Sequence, residues 1–152
     1  FIIDEKNDLG VIDFGCIKHI PNDFYQPYFE LASVETLNNA ERVNELFKEL
    51  EIIKPTDSEK DVKIVTGMFT DLIKLLSRPF TEGVFDFSDE AFFKEIYMKG
   101  EQISKNPEMN QLQARGSRHF IYFNRTFFGL YNILHTLKAK VDCASVDFLK
   151  VA

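Results

Sequence analysis

The chain has few cysteines: Cys16 and Cys143 are the only two in 152 residues. They stand far apart and in no metal-ligand spacing, so neither a disulfide framework nor a zinc site is suggested and a reducing compartment fits. There is no run of Lys or Arg, and at a formal net charge of −6 the chain lacks the clustered cationic face that a nucleic-acid backbone demands. Nucleic acid is therefore excluded as a partner. A long uninterrupted hydrophobic run is missing as well. The most apolar stretch, Phe120 to Leu137, contains Asn124, Arg125, Asn132 and His135, whereas a bilayer-spanning helix needs roughly 20 nearly uninterrupted apolar residues. It is expected to be a buried helix and not a membrane span. No basic region precedes an apolar core and no small-residue cleavage site follows one, so no signal peptide is read and a cytoplasmic location is expected. Internal repeats and low-complexity segments are also absent.

What is present is enough for one domain with a sizeable core, spanning residues 1–152. Hydrophobic residues make up 45% and charged residues 28%, which is globular rather than disordered; the 16 Phe predict an aromatic core.

The chain opens with Phe1-Ile2-Ile3, a polar turn over Asp4-Glu5-Lys6-Asn7-Asp8, and a second apolar run, Leu9-Gly10-Val11-Ile12-Asp13-Phe14-Gly15. Two short apolar runs around a turn cluster predict a β-hairpin over residues 1–15. Everything after Pro21 reads as helical, over 22–151. Asn22 or Asp23 is placed to cap a first helix through Phe24, Tyr28, Leu31, Ala32 and Leu37, stopped by Asn38-Asn39. Val43, Leu46, Phe47 and Leu50 mark one face of a second helix, from Ala40 to about Glu51. A longer one follows from about Ser58 to Leu76, opened by Asp57 and Glu59, whose charges suit a helix N-terminus. Ser77 through Phe87 reads as a loop, after which Ser88 is expected to cap a helix running toward Ile103. A last long helix is expected from about Arg118 to Lys138, with a short turn or helix over Ala144 to Val151. The predicted fold is mainly α with one N-terminal β-hairpin.

The second strand of the hairpin ends in Asp13-Phe14-Gly15, the tripeptide that closes the magnesium-binding strand of kinase-like folds. Mg²⁺ is a hard cation that prefers a rigidly held carboxylate oxygen when it bridges the β- and γ-phosphates of a nucleotide, and Asp13 is the candidate for that ligand. No Ala-Pro-Glu follows, so a peptide-substrate platform is not expected.

The run Gly10-Val11-Ile12-Asp13-Phe14-Gly15-Cys16 followed by Ile20-Pro21, together with Phe123-Asn124-Arg125-Thr126-Phe127-Phe128-Gly129-Leu130-Tyr131, resembles the UbiB-like family of atypical kinase-like ATPases linked to isoprenoid quinone (ubiquinone) biosynthesis. The resemblance implies the C-terminal lobe portion of a protein-kinase-like α+β fold, with ATP and Mg²⁺ as cofactors. It implies a nucleotide, a lipid or quinone precursor and an upstream kinase-like lobe as partners, and membrane association of the full-length protein. Of the family's residues only Asp13 transfers, as the metal ligand. The nucleotide loop, its lysine, the ion-paired glutamate and the catalytic loop precede the motif in such proteins, and no His-x-Asp occurs here. We therefore expect the chain to be a distal fragment, inactive alone, with no catalytic residue of its own. An Asn is expected directly before Phe1, with a His- or Lys-x-Asp several residues earlier.

Other classes of function stay open. A sugar or aminoglycoside phosphotransferase also ends its metal strand in Ile-Asp-Phe-Gly, and Glu30-Leu31-Ala32 echoes the acidic-Leu-Ala found after that strand in such enzymes. A non-catalytic helical interaction module would make Asp13 a turn residue only. In the last helix, Arg118, Tyr122, Arg125, Gly129 and Asn132 fall at helical spacing. Arg125 is expected to be held by a buried carboxylate, with Gly129 admitting a neighbouring helix. The other reading makes Arg125 a contact for a phosphate or a quinone-precursor head group. His19, His119 and His135 are dispersed and read as ordinary surface or core residues. Cys16 reads as a small buried residue, with a reactive thiol as the alternative.

Overall fold

A computed structural model describes residues 2–3, 5–6, 9–10, 17–112 and 114–143. Strands β1 (Ile2–Ile3) and β2 (Leu9–Gly10) pair antiparallel, with Ile2 opposite Gly10 and Ile3 opposite Leu9. Asp13, Gly15 and Cys16 lie outside the described residues, as does the turn or helix expected over Ala144 to Val151.

The body is mainly helical: α1 (Asn22–Glu30), α2 (Val34–Leu37), α3 (Ala40–Glu49), α4 (Glu59–Leu76), α5 (Arg78–Thr81), α6 (Glu90–Ser104), α7 (Pro107–Gln111) and α8 (Phe120–Thr136). The single helix expected from Asn22 to Leu37 is broken at Leu31-Ala32-Ser33, where Ser33 is extended. Geometry explains the break. On one straight helix Leu37 would sit about 220° around the axis from Phe24, yet both side chains are buried. Two short helices let both faces turn inward. The corner is held by Arg42 of α3, whose Nε and Nη2 donate to the two carboxylate oxygens of Glu30 at 2.6 and 2.8 Å.

The start of α4 is a capping box. Ser58 Oγ accepts from the Asp61 amide at 3.2 Å, and Asp61 Oδ2 accepts from the Ser58 amide at 3.1 Å. Asp57, read from the sequence as a charge for this helix end, is used differently. Its Oδ2 accepts from the Lys54 amide at 2.8 Å and from Arg115 Nη1. Ser88 likewise does not cap α6: Asp89 does, accepting from the Ala91 amide at 2.9 Å, while the Ser88 hydroxyl donates to Asp86.

A second antiparallel pair corrects the reading of residues 77–87 as a loop and of one hairpin alone. β3 (Val84–Asp86) pairs with β4 (Lys140–Asp142), Phe85 standing opposite Val141. This pair ties the end of α8 to the middle of the chain, and Lys140 Nζ reaches Asp86 Oδ2 at 2.9 Å. Ser88, Lys140 and the Ser88 amide together pull the Asp86 carboxyl down to about 2.

Two buried clusters make the core. The first gathers Phe24, Leu31, Val43, Leu46, Phe47, Leu50, Ile52, Ile53 and Val65; the second gathers Leu75, Phe85, Phe87, Phe92 and Tyr131. Helix α8 packs on both, through Phe120 and Phe123 on the first and Phe127 and Leu134 on the second. The rings meet edge to face, as the aromatic quadrupole favours: Phe24 and Phe120 at 5.1 Å, Phe85 and Phe92 at 4.8 Å.

The approach to α8 is fixed by a lock between two loops. Arg115 and Asp57 have side chains only 7% and 6% exposed. Around them the Gly116 amide donates to Glu51 O at 3.0 Å and the Ser117 amide to Leu50 O at 2.9 Å. Removing one member of a buried pair strands the other charge at a cost of about 3–5 kcal/mol, whereas replacing both with apolar groups is often neutral. We therefore expect Asp57→Ala to destabilise the fold by that amount in urea titrations, and Asp57→Leu with Arg115→Met to recover most of it. The Arg115 guanidinium holds the Asp57 carboxyl below its ordinary 3.8. Its contribution is thus complete above the unfolded-state value and is lost as pH falls through the lower folded value. The wild type should lose stability on that descent, and Asp57→Ala should lose less.

Candidate functional site

The residue that the sequence nominates for metal, Asp13, lies outside the described residues, so the site is built from the chain on either side of it. Before it stands the β1–β2 ribbon. After it, Ile17 is exposed, and Lys18 Nζ sits 5.3 Å from the centre of the Tyr122 ring on α8. Ile20 then packs on the first core cluster. The segment leaving the motif therefore runs beside the N-terminal half of α8.

Beneath α8 a cleft of about 120 Å³ opens between the two core clusters. Tyr28 and Ala32 line one side, Phe69, Leu72 and Leu76 of α4 another, and Phe127 and Tyr131 of α8 the roof. The Tyr131 hydroxyl is spent on Leu76 O at 2.9 Å. The Tyr28 hydroxyl has no hydrogen-bond partner among the described residues. Burial pushes both phenols above their ordinary range. Among the described residues no carboxylate, histidine, lysine or cysteine lines the cleft; it can hold an apolar moiety.

Beside the cleft, and sharing Phe120, Asn124 and Phe128 with it, lies an open shelf that includes Arg118, Ile121, Arg125, Gly129 and Asn132. This corrects the expectation for the last helix in two ways. Its outer face is bare: Ile121 and Ile133 are 60% and 52% exposed, so the Phe120–Leu137 stretch is half-covered and not buried. Arg125 is exposed and has no ion-pair partner among the described residues, and a Cβ on Gly129 would meet nothing within 4 Å. Among the described residues no buried carboxylate holds that arginine and no neighbouring helix presses on that glycine.

The polar stripe itself is legible at its spacing, but the cleft, the shelf and the Arg115 lock are not. One signal in the sequence marks the region. From Met109 to Val141 there is no Asp or Glu, while Arg115, Arg118, Arg125, Lys138 and Lys140 all fall there, in a chain with 24 acidic and 18 basic residues.

The histidines are dispersed, as the sequence suggests. His19 is exposed, His119 is buried against the Phe24 ring at 5.4 Å, and His135 Nδ1 donates to Phe87 O at 2.7 Å. Cys143 is half-buried, and burial raises its thiol. Among the described residues no three His, Cys, Asp or Glu side chains converge to hold a metal ion, and no helix is long and apolar enough to cross a membrane.

Two glycines test the geometry of this face. Gly116 has φ +82°, and a Cβ there would lie 2.8 Å from Phe120 Cδ2. Gly116→Ala should destabilise by about 1–2 kcal/mol, the cost of placing an L side chain in the left-handed region. Gly129 sits in open helix, where Ala is favoured by about 1 kcal/mol. Gly129→Ala should therefore raise the midpoint of thermal unfolding while Gly116→Ala lowers it.

Comparison with known proteins gives no family model that matches the chain, no similar curated protein and no similar solved structure.

Proposed function

We propose that this chain is the distal part of an atypical kinase-like ATPase of the UbiB-like type, in which Asp13 carries the Mg²⁺ of ATP. The observation that supports the reading most is the opening ribbon. Ile2 and Ile3 pair with Gly10 and Leu9, and the strand that reaches Gly10 is followed in sequence by Val11-Ile12-Asp13-Phe14-Gly15. A carboxylate three residues beyond a paired strand, followed by glycine and then a helical body, is the order in which a kinase-like fold presents its metal ligand. The helical body that starts at Asn22 agrees with a C-terminal lobe portion.

On this reading Asp13 would be the residue that holds Mg²⁺, and the ion would supply charge neutralisation for the phosphates of ATP. Positioning and electrostatic stabilisation are what phosphoryl transfer asks of the protein. The nucleotide loop and the catalytic loop are supplied by the upstream lobe, so residues 1–152 alone hydrolyse no ATP. The reaction is hydrolysis or small-molecule phosphorylation, tied to quinone biosynthesis, in a cytoplasmic protein that associates with membranes.

The test is nucleotide binding by the full-length protein. Asp13→Asn should weaken binding of Mg-ATP at least tenfold, or about 1.4 kcal/mol, and make binding insensitive to added Mg²⁺. If Asp13→Asn binds Mg-ATP as the parent does, the chain is instead a helical interaction module.

A further inference from the structure

The cleft and the shelf on α8 adjoin, sharing Phe120, Asn124 and Phe128, and have two chemistries. The cleft is apolar and closed in by rings; at about 120 Å³ it is close to the size of a cavity that stays dry and accepts benzene, about 150 Å³. It has room for a few carbons, such as the end of a hydrocarbon chain. Phe120, Asn124 and Phe128 belong to both cleft and shelf, and Asn124 and Phe128 are exposed, so the cleft opens onto the shelf there. The shelf then offers apolar Ile121 beside two exposed guanidinium groups, Arg118 and Arg125, neither paired with a carboxylate among the described residues.

Charge decides what kind of molecule fits. Although the whole chain is at −6, no Asp or Glu among the described residues lines the cleft or the shelf, and none occurs in the sequence from Met109 to Val141. Among the described residues the charged groups lining this face are all cations, and a carboxylate or phosphate head gains charge-assisted hydrogen bonds from arginine. A neutral hydrocarbon would leave the arginines unused; a small inorganic anion would leave the cleft unused.

We propose that the cleft and shelf form a binding site for a single-chain anionic amphiphile, a fatty-acid-like molecule whose chain end enters between Asn124 and Phe128 and whose head lies within reach of Arg118 and Arg125. The site uses no residue of the metal strand, so it stands or falls independently of the nucleotide reading.

The experiment is calorimetric titration of the full-length protein with decanoate below its micellar concentration. Decanol and inorganic phosphate serve as the two half-ligands, and vesicles of phosphatidylcholine with or without phosphatidylglycerol as the membrane arm. Decanoate should bind saturably at one site, at least tenfold more tightly than decanol or phosphate. Arg118→Gln with Arg125→Gln should remove at least tenfold from decanoate affinity and leave decanol unchanged. Ala32→Phe, which fills the cleft, should abolish binding of both. Should that variant fail to fold, the parent protein answers through chain length: affinity should rise from butyrate to octanoate and then level off once the cleft is full. Asp13→Asn should bind decanoate as the parent does. The proposal is overturned if decanoate shows no saturable binding, if decanol or phosphate binds equally well, or if folded Ala32→Phe retains full affinity. It is equally overturned if the protein binds only phosphatidylglycerol vesicles, with Ala32→Phe unaffected, for that would be adsorption to a charged surface.

Discussion

The Arg115–Asp57 pair is the constraint on which the rest of the molecule hangs. Two opposite charges removed from water hold each other in place, because either one left alone would be an uncompensated buried charge. Here Arg115 Nη1 donates to the Asp57 carboxylate and sits 3.4 Å from Ile52 O, and Asp57 also accepts from the Lys54 amide. Arg115 Nε is buried without a hydrogen-bond partner among the described residues, while the neighbouring amides of Gly116 and Ser117 donate to Glu51 O and Leu50 O and join the two loops beside the pair. Residues far apart in sequence thereby become a single rigid corner, and the direction in which α8 departs from it is set.

That direction gives α8 its double role. Its inner side closes both halves of the core, with Phe120 and Phe123 over the first cluster and Phe127, Tyr131 and Leu134 over the second. At its far end the chain turns at Lys138, with φ 50°, and enters β4, where pairing with β3 anchors it again. A helix held at both ends can span an imperfectly filled seam without collapsing into it. The cleft survives for that reason, since its walls belong to elements fixed elsewhere.

Much of the helical framework is legible from the sequence because apolar spacing is a strong signal over ten or more residues. Val43, Leu46 and Phe47 on α3 and the long stripe of α4 are examples. The break at Leu31-Ala32-Ser33 is not, because no Gly or Pro marks it and only the tertiary need to bury both Phe24 and Leu37 produces it. The β3–β4 pair escapes notice because three-residue strands separated by more than fifty residues carry no periodicity. Asp57 is misleading in the sequence since an acidic residue before a helix suits the dipole by default; only the fold brings Arg115 to it. At the candidate site, the spacing of Arg118 and Arg125 is visible but their exposure is not, because whether a helix face is covered is decided by elements distant in sequence. The candidate metal ligand Asp13 is read from a motif, a local signal that needs no fold to be seen.

The separation of charge along the chain has an effect that begins before any contact is made. The surplus of negative charge lies outside residues 109–141, the segment that carries α8 and holds Arg and Lys but no Asp or Glu. In the field of a polyanion or an acidic interface, a body whose cations lie on one flank turns before it arrives, presenting that flank first even where its net charge is repelled. The turning torque decays over a Debye length of about 8 Å at physiological ionic strength, so orientation is imposed only in the last stage of approach.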